Sequence, residues 1–86
     1  MKQETITIAG AAGLHARPAT EFSKKAMAFA SAVTVEAGGK KANGKSVLTL
    51  LTLGAVRGTE VVLTVDGPDE DAAFATLSEF LTSEHE

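Results

Sequence analysis

The chain has 86 residues, no cysteine, and a formal net charge of −3 from eight basic and eleven acidic side chains. That length suits one domain, residues 1–86, with a single modest core. The missing cysteines exclude disulfides and thiolate metal sites and make a reducing cytoplasm the default compartment. An acidic balance with no Trp or Tyr argues against a nucleic-acid binder. No apolar run nears the roughly 20 residues that cross a bilayer, and no secretory leader is visible, so no membrane insertion is expected.

In chain order, Thr5-Ile6-Thr7-Ile8 alternates and predicts a strand with Ile6 and Ile8 inward. The run from Ala9 to Gly13 is small and loop-like. Apolar residues at Ala19, Phe22, Ala26 and Phe29 then predict a helix from about Ala16 to Phe29. Pro18 fits its first turn, where a missing N–H costs nothing. A second face of this helix carries Ala16, Thr20, Lys24 and Met27. It reads either as a solvated face or as a partner surface. Ala32 to Glu36 predicts a strand with Val33 and Val35 on one side. Gly38-Gly39 is a hairpin signal. Lys40-Lys41-Ala42 predicts an edge strand whose lysines discourage edge-to-edge pairing.

Asn43-Gly44 is a further turn, and Ser46 is a good N-cap for a short helix from Val47 to Leu53, with Gly54 as its C′ residue. That helix is too apolar for a simple surface element. If Val47, Leu50 and Leu53 pack inward, Leu48 and Leu51 face out, which in a water-facing protein marks a partner surface or deeper burial. Val56 to Thr59 is a loop, and Glu60 to Val65 predicts a strand with Val61, Leu63 and Val65 inward. Asp66-Gly67-Pro68 turns the chain. Asp69 is expected to cap the last helix, with Glu70 and Asp71 complementing its dipole and Ala73, Leu77, Phe80 and Leu81 as its buried stripe. The final Glu84-His85-Glu86 is expected to fray, with His85 as tail composition rather than a second catalytic group. The order β-α-β-β-α-β-α predicts an α+β fold with helices on one face of a mostly antiparallel sheet. The residues alone leave the strand order open.

The chemistry concentrates at Gly13-Leu14-His15-Ala16-Arg17-Pro18. His15 falls near the N-cap of the first helix, beside backbone N–H groups that no carbonyl satisfies. Such a terminus favours anions and disfavours imidazolium, so it should hold His15 neutral, as a nucleophile must be. A phosphoryl group on that ring would meet the helix amides at Ala16, Arg17 and Pro18's turn, with the Arg17 guanidinium as a second anion ligand. Taken as a bare pair, His15 and Arg17 also fit a surface helix start with no further role. No general acid or base lies near His15 in sequence, there is no complete phosphate loop, and no metal-ligand cluster is visible.

The string Gly-Leu-His-Ala-Arg-Pro-Ala after one short strand resembles the HPr family, the histidine-containing phosphocarriers of the bacterial phosphoenolpyruvate:sugar phosphotransferase system. Gly44-Lys45-Ser46, followed by the apolar helix to Leu53 and Gly54, is a second matching stretch, and the resemblance covers essentially the whole chain. It implies an open-faced β-sandwich with a four-stranded sheet and three helices. It also implies a phosphoryl group carried on His15 Nδ1 with help from Arg17, and no cofactor. The implied partners are the first enzyme of the system and its sugar-specific second enzymes, which would dock on Thr20, Lys24, Met27, Val47, Leu48 and Leu51. A monomer is expected. Ser46, besides its capping role, is a candidate for regulatory phosphorylation by a serine kinase. The nitrogen-related branch of the same system, a regulatory protein working through Ser46, and a histidine phosphatase are the competing readings. The last needs Arg-His-Gly and a larger fold, which this chain lacks.

Overall fold

The computed structural model describes residues 1–9 and 16–83. Its elements are β1 (Lys2–Thr7), α1 (Ala16–Met27), β2 (Ala32–Ala37), β3 (Lys40–Asn43), α2 (Val47–Thr52), β4 (Glu60–Asp66) and α3 (Glu70–Thr82). The strands form one four-stranded sheet in the order β1-β4-β2-β3. All three pairings are antiparallel. The valine-rich strands β2 and β4 each have a neighbour on both sides, while β3, with Lys40 and Lys41, is at an edge, as its lysines predict. Gly38 and Gly39 have φ of 56° and 83°, the two successive positive values a tight hairpin between β2 and β3 requires.

Alternation along the strands separates two faces. One presents Ile6, Val33, Val35, Ala42, Val61, Leu63 and Val65, all buried. The other presents rows of mostly polar residues, such as Gln3, Thr64, Thr34 and Asn43, that pair across the sheet. Helices cover the apolar face: α3 packs on β1 and β4, α1 packs on α2 and α3, and α2 packs on β3. Ala19, Phe22 and Ala26 of α1 and Leu50 of α2 complete the core, and the Phe22 ring meets Phe80 edge-on with centroids 6.0 Å apart.

Several expectations are corrected. β1 begins at Lys2 rather than Thr5, because it pairs with β4 along that strand's length from Glu60 to Val65. Ile8 lies past its end but still exchanges backbone bonds with Gly58 and Thr59. α1 stops at Met27, and Ala28 and Phe29 close the chain in tighter turns onto the carbonyls of Lys25 and Ala26, leaving Phe29 only partly buried. α2 stops at Thr52, with Leu53 as C-cap and Gly54 at the C′ position. On α3 the fully packed stripe is Ala73, Phe74, Leu77 and Leu81, so Phe74 was missed and Phe80 sits at its margin.

Asp69 occupies the N-cap position of α3 without capping it through its side chain. Its carboxylate accepts instead from the N–H groups of Ala30 (2.8 Å) and Ser31 (3.0 Å) and from the Ser31 hydroxyl. These bonds, that from Ser31 Oγ first, hold the carboxyl below the usual aspartate range. The residue that turns back on the start of α3 is Glu70, whose Oε1 accepts from Gly67 N–H at 3.3 Å.

Candidate functional site

α1 opens at Ala16, so the expected anion site straddles the boundary of the described residues. His15, Gly13 and Leu14 lie outside them, as does His85. On the described side, Pro18 is buried in the first turn while the Arg17 side chain is 81% exposed. Its Nε lies 4.0 Å from Oε1 of Glu21, one turn along. An exposed pair at that distance is a weak restraint and leaves the guanidinium able to meet another anion. The first turn of α1 contains no acidic residue, and Lys24 and Lys25 fill its last turn. Among the described residues the positive end of the macrodipole thus has no carboxylate in its first turn and carries a cation besides, a local field that favours an anion.

The second matching stretch is tied down by its own polar groups. Ser46 has extended backbone angles, and its Oγ accepts from Thr49 N–H at 3.5 Å, so it is the N-cap that its position predicts. Asn43 Oδ1 accepts from Lys45 N–H at 2.9 Å, and Thr49 Oγ1 accepts from Asn43 N–H at 3.1 Å. Lys45 Nζ donates to the Phe29 carbonyl at 2.8 Å and so fastens this turn to the end of α1. Sequence reasoning missed that role. Its signal, a lysine that can reach a helix C-terminus, is visible only once the two segments are known to be neighbours.

Both helices also carry exposed apolar side chains. Met27 is 58% exposed, Leu48 76% and Leu51 38%. Lys24 is exposed and Thr20 half-buried. Val47 is also half-buried, and its packing is directed at the core, so it offers less to the surface than Leu48 or Leu51. Val56, in the loop after α2, adds an exposed apolar side chain that the sequence reading did not single out. Because α1 and α2 pack together, the outward residues of both belong to adjoining surfaces. Among the described residues no cluster of His, Cys, Asp or Glu could hold a metal ion, and no helix is long and apolar enough to cross a membrane.

A family model described as "PTS HPr component phosphorylation site" matches residues 2–83. The phosphocarrier protein HPr of Lysinibacillus sphaericus is 43% identical over 82 residues, which are 95% of this chain and 93% of that one. The crystal structure of an HPr from Thermoanaerobacter tengcongensis superposes with a TM-score of 0.90 at 41% identity, covering 94% of this chain and 91% of the other. A structure described as an HPr dimer from the same organism matches at a TM-score of 0.70 and 43% identity, over 90% of this chain and 88% of that one. The open-faced sandwich is thus that of the small phosphocarriers of the phosphotransferase system. Within that class, the chain belongs to the HPr family. Proteins of this family carry a phosphoryl group between partner enzymes.

Proposed function

We propose that His15 accepts a phosphoryl group from the phosphoenolpyruvate-dependent first enzyme of the sugar phosphotransferase system and passes it to sugar-specific second enzymes. The bond from phosphorus to the donor breaks as the Nδ1–P bond forms, and the reverse pairing occurs when a second enzyme takes the group. The chain itself supplies no acid or base to this exchange, and its partners provide the rest of the catalytic machinery. No cofactor is needed.

One observation carries the reading: the start of α1 has an exposed Arg17, a weak partner in Glu21 and no acidic side chain in its first turn. A phosphate on His15 would gain the field of Ala16, Arg17 and Pro18's turn without being buried, so it could be held and still be surrendered. Thr20, Lys24 and Met27 of α1 would form the docking surface with Leu48 and Leu51 of α2, and Val47 at its margin. A single surface next to one histidine must serve donors and acceptors in turn, which fits residues 1–86 acting as one soluble cytoplasmic monomer. The dimer solved for a relative makes a dimer the alternative, and sedimentation at working concentration decides between them. Ser46, at the edge of the same surface, is the residue where a serine kinase could add about −2 charge and weaken docking without unfolding α2.

Incubation with phosphoenolpyruvate and a first enzyme, followed by mass spectrometry, tests the central step. His15→Ala should abolish the gain of one acid-labile phosphate, whereas His85→Ala should leave it intact. Normal uptake by His15→Ala would overturn the assignment.

A further inference from the structure

The two edges of the sheet differ. β3 is short and carries Lys40 and Lys41, whereas β1 is longer and borders a groove of about 590 Å³ beneath α3. The groove is lined by Glu4, Thr5 and Thr7 of β1 and by Phe74, Glu79 and Thr82 of α3. Ile8 directs both its N–H and its C=O at the Gly58–Thr59 side, and Ala9 N–H turns the other way, to the Leu81 carbonyl. In an antiparallel strand these directions alternate residue by residue. The N–H and C=O groups of Gln3, Thr5 and Thr7 therefore point away from β4, along the open edge.

The sign of the groove is also set. Glu4 and Glu79 both line it, and neither makes an ion pair within 4.0 Å among the described residues. Two lysines border these walls but already have partners: Lys2 Nζ lies 3.6 Å from Asp71 Oδ1 and over the Phe74 ring, and Lys25, which shares a neighbouring pocket with Glu79, lies over the Phe80 ring. A strand edge with free backbone groups, a helix across a groove and two unpaired carboxylates together specify a ligand that is extended and basic at alternate residues.

We propose that the β1–α3 groove is a second protein-binding site, which takes an extended peptide segment with Lys or Arg at every second position. The segment adds a strand beside β1 through Thr5 and Thr7, and its basic side chains enter the groove toward Glu4 and Glu79. A second copy joined through its own β1 is disfavoured, because it would bring both sets of these carboxylates together. The site is independent of the phosphocarrier surface on α1 and α2 and can be occupied while that surface is in use.

The probe is a capped peptide of sequence Lys-Val-Lys-Thr-Lys-Val, titrated into the ¹⁵N-labelled full chain. Saturable shifts and slowed hydrogen exchange are expected at the Thr5 and Thr7 amides. Glu4→Lys with Glu79→Lys should weaken binding on the order of tenfold. Thr5→Pro should abolish it while keeping the fold, since the proline removes only an outward N–H on an edge strand. The same peptide N-methylated at alternate residues, which leaves the protein unchanged, should not bind. Equal binding of the N-methylated peptide, shifts confined to α1 and α2, or no saturation at millimolar peptide would overturn the proposal. So would concentration-dependent association of the chain alone that Thr5→Pro removes, because the occupant would then be the basic β3 edge of another copy.

Discussion

α1 has no acidic residue in its first turn and an exposed Arg17 there, whereas α3 opens with Glu70 and Asp71 and is held from several directions. Gly67 N–H reaches Glu70 Oε1, Glu70 N–H reaches the Gly67 carbonyl, and the Met1 ammonium lies 2.8 Å from Glu70 Oε2. Those contacts, the ammonium bond first, hold the Glu70 carboxyl below its usual range. Asp69 meanwhile joins the loop after α1 to the start of α3. Both helix starts carry the same kind of dipole. At α3 the chain answers it with its own carboxylates, whereas the first turn of α1 holds no acidic side chain. A helix start without acidic side chains is the more favourable of the two for an anion from outside, which is what the proposed role of α1 requires.

The comparison predicts that damage at the two starts separates into stability and transfer. The largest stability effect should come from Gly67. A Cβ there would lie 2.6 Å from both Cα and Oγ of Ser31, and backbone cannot yield as a flexible side chain can. Gly67→Ala should cost about 2–3 kcal/mol and lower the melting temperature by roughly 10–20 °C. Phosphoryl transfer, measured per folded molecule, should be unchanged. Loss of transfer in the folded fraction would show that the two ends of the molecule are coupled.

Arg17→Ala should do the reverse. With a charge-assisted contact to phosphate lost, about 1.5–3 kcal/mol, transfer should slow roughly 10- to 100-fold. Thermal melting should barely move, because the bond given up in the resting protein is the 4.0 Å contact to Glu21. Stopped-flow transfer from a phosphorylated first enzyme and a melting curve on the same sample give both numbers. A large drop in melting temperature with normal transfer would place Arg17 in the scaffold instead.

Asp69→Asn sharpens the other side. Both carboxylate oxygens are in use, so an amide would set an N–H donor against either Ala30 N–H or the Ser31 donors. The variant should melt below wild type at neutral pH, by less than Gly67→Ala does, with transfer retained. Because the folded-state pKa of Asp69 lies below its ordinary value, its contribution is complete above the unfolded aspartate pKa and disappears as pH falls through the folded one. The gap between wild type and variant should therefore close in acid. A gap that persists at the lowest pH where both still fold would mean that the carboxylate's charge is not what matters.

Local patterns in the chain were enough for much of this. Alternation located β2 and β4 to within a residue, apolar spacing located α1 through Ala19, Phe22 and Ala26, and the histidine-arginine string pointed to the start of α1. What stayed hidden depends on which segments become neighbours. The polar-looking Lys2-Gln3-Glu4 joins β1 because β4 is there to pair with it. Asp69 follows a turn and precedes two acids, which reads as a cap, but Ser31 lies closer in space than the helix amides do. Lys45 shows no partner until the end of α1 arrives beside it. The outward placement of Leu48 and Leu51 could be read because a two-turn helix cannot bury five apolar residues.

The smallest effect concerns two buried serines, Ser23 at 1% exposure and Ser31 at 0%. Ser31 Oγ donates to Asp69, while Ser23 Oγ, in the middle of α1, has no hydrogen-bond partner among the described residues. An orphaned buried hydroxyl costs about 1–3 kcal/mol, and alanine is also the better helix former. Ser23→Ala should therefore stabilise the protein by about 1 kcal/mol, part of the gain being offset by the small void it leaves. Ser31→Ala should destabilise it, because Asp69 then loses the bond that most depresses its pKa. Opposite signs for the same chemical change, read from two denaturation curves, would show that α1 tolerates an unmet group in its interior, just as its first turn goes without an acidic side chain. A loss of stability in both variants would mean that Ser23 Oγ is satisfied in solution, by water reaching the interior face of α1, and the contrast between the helices would then be confined to their first turns.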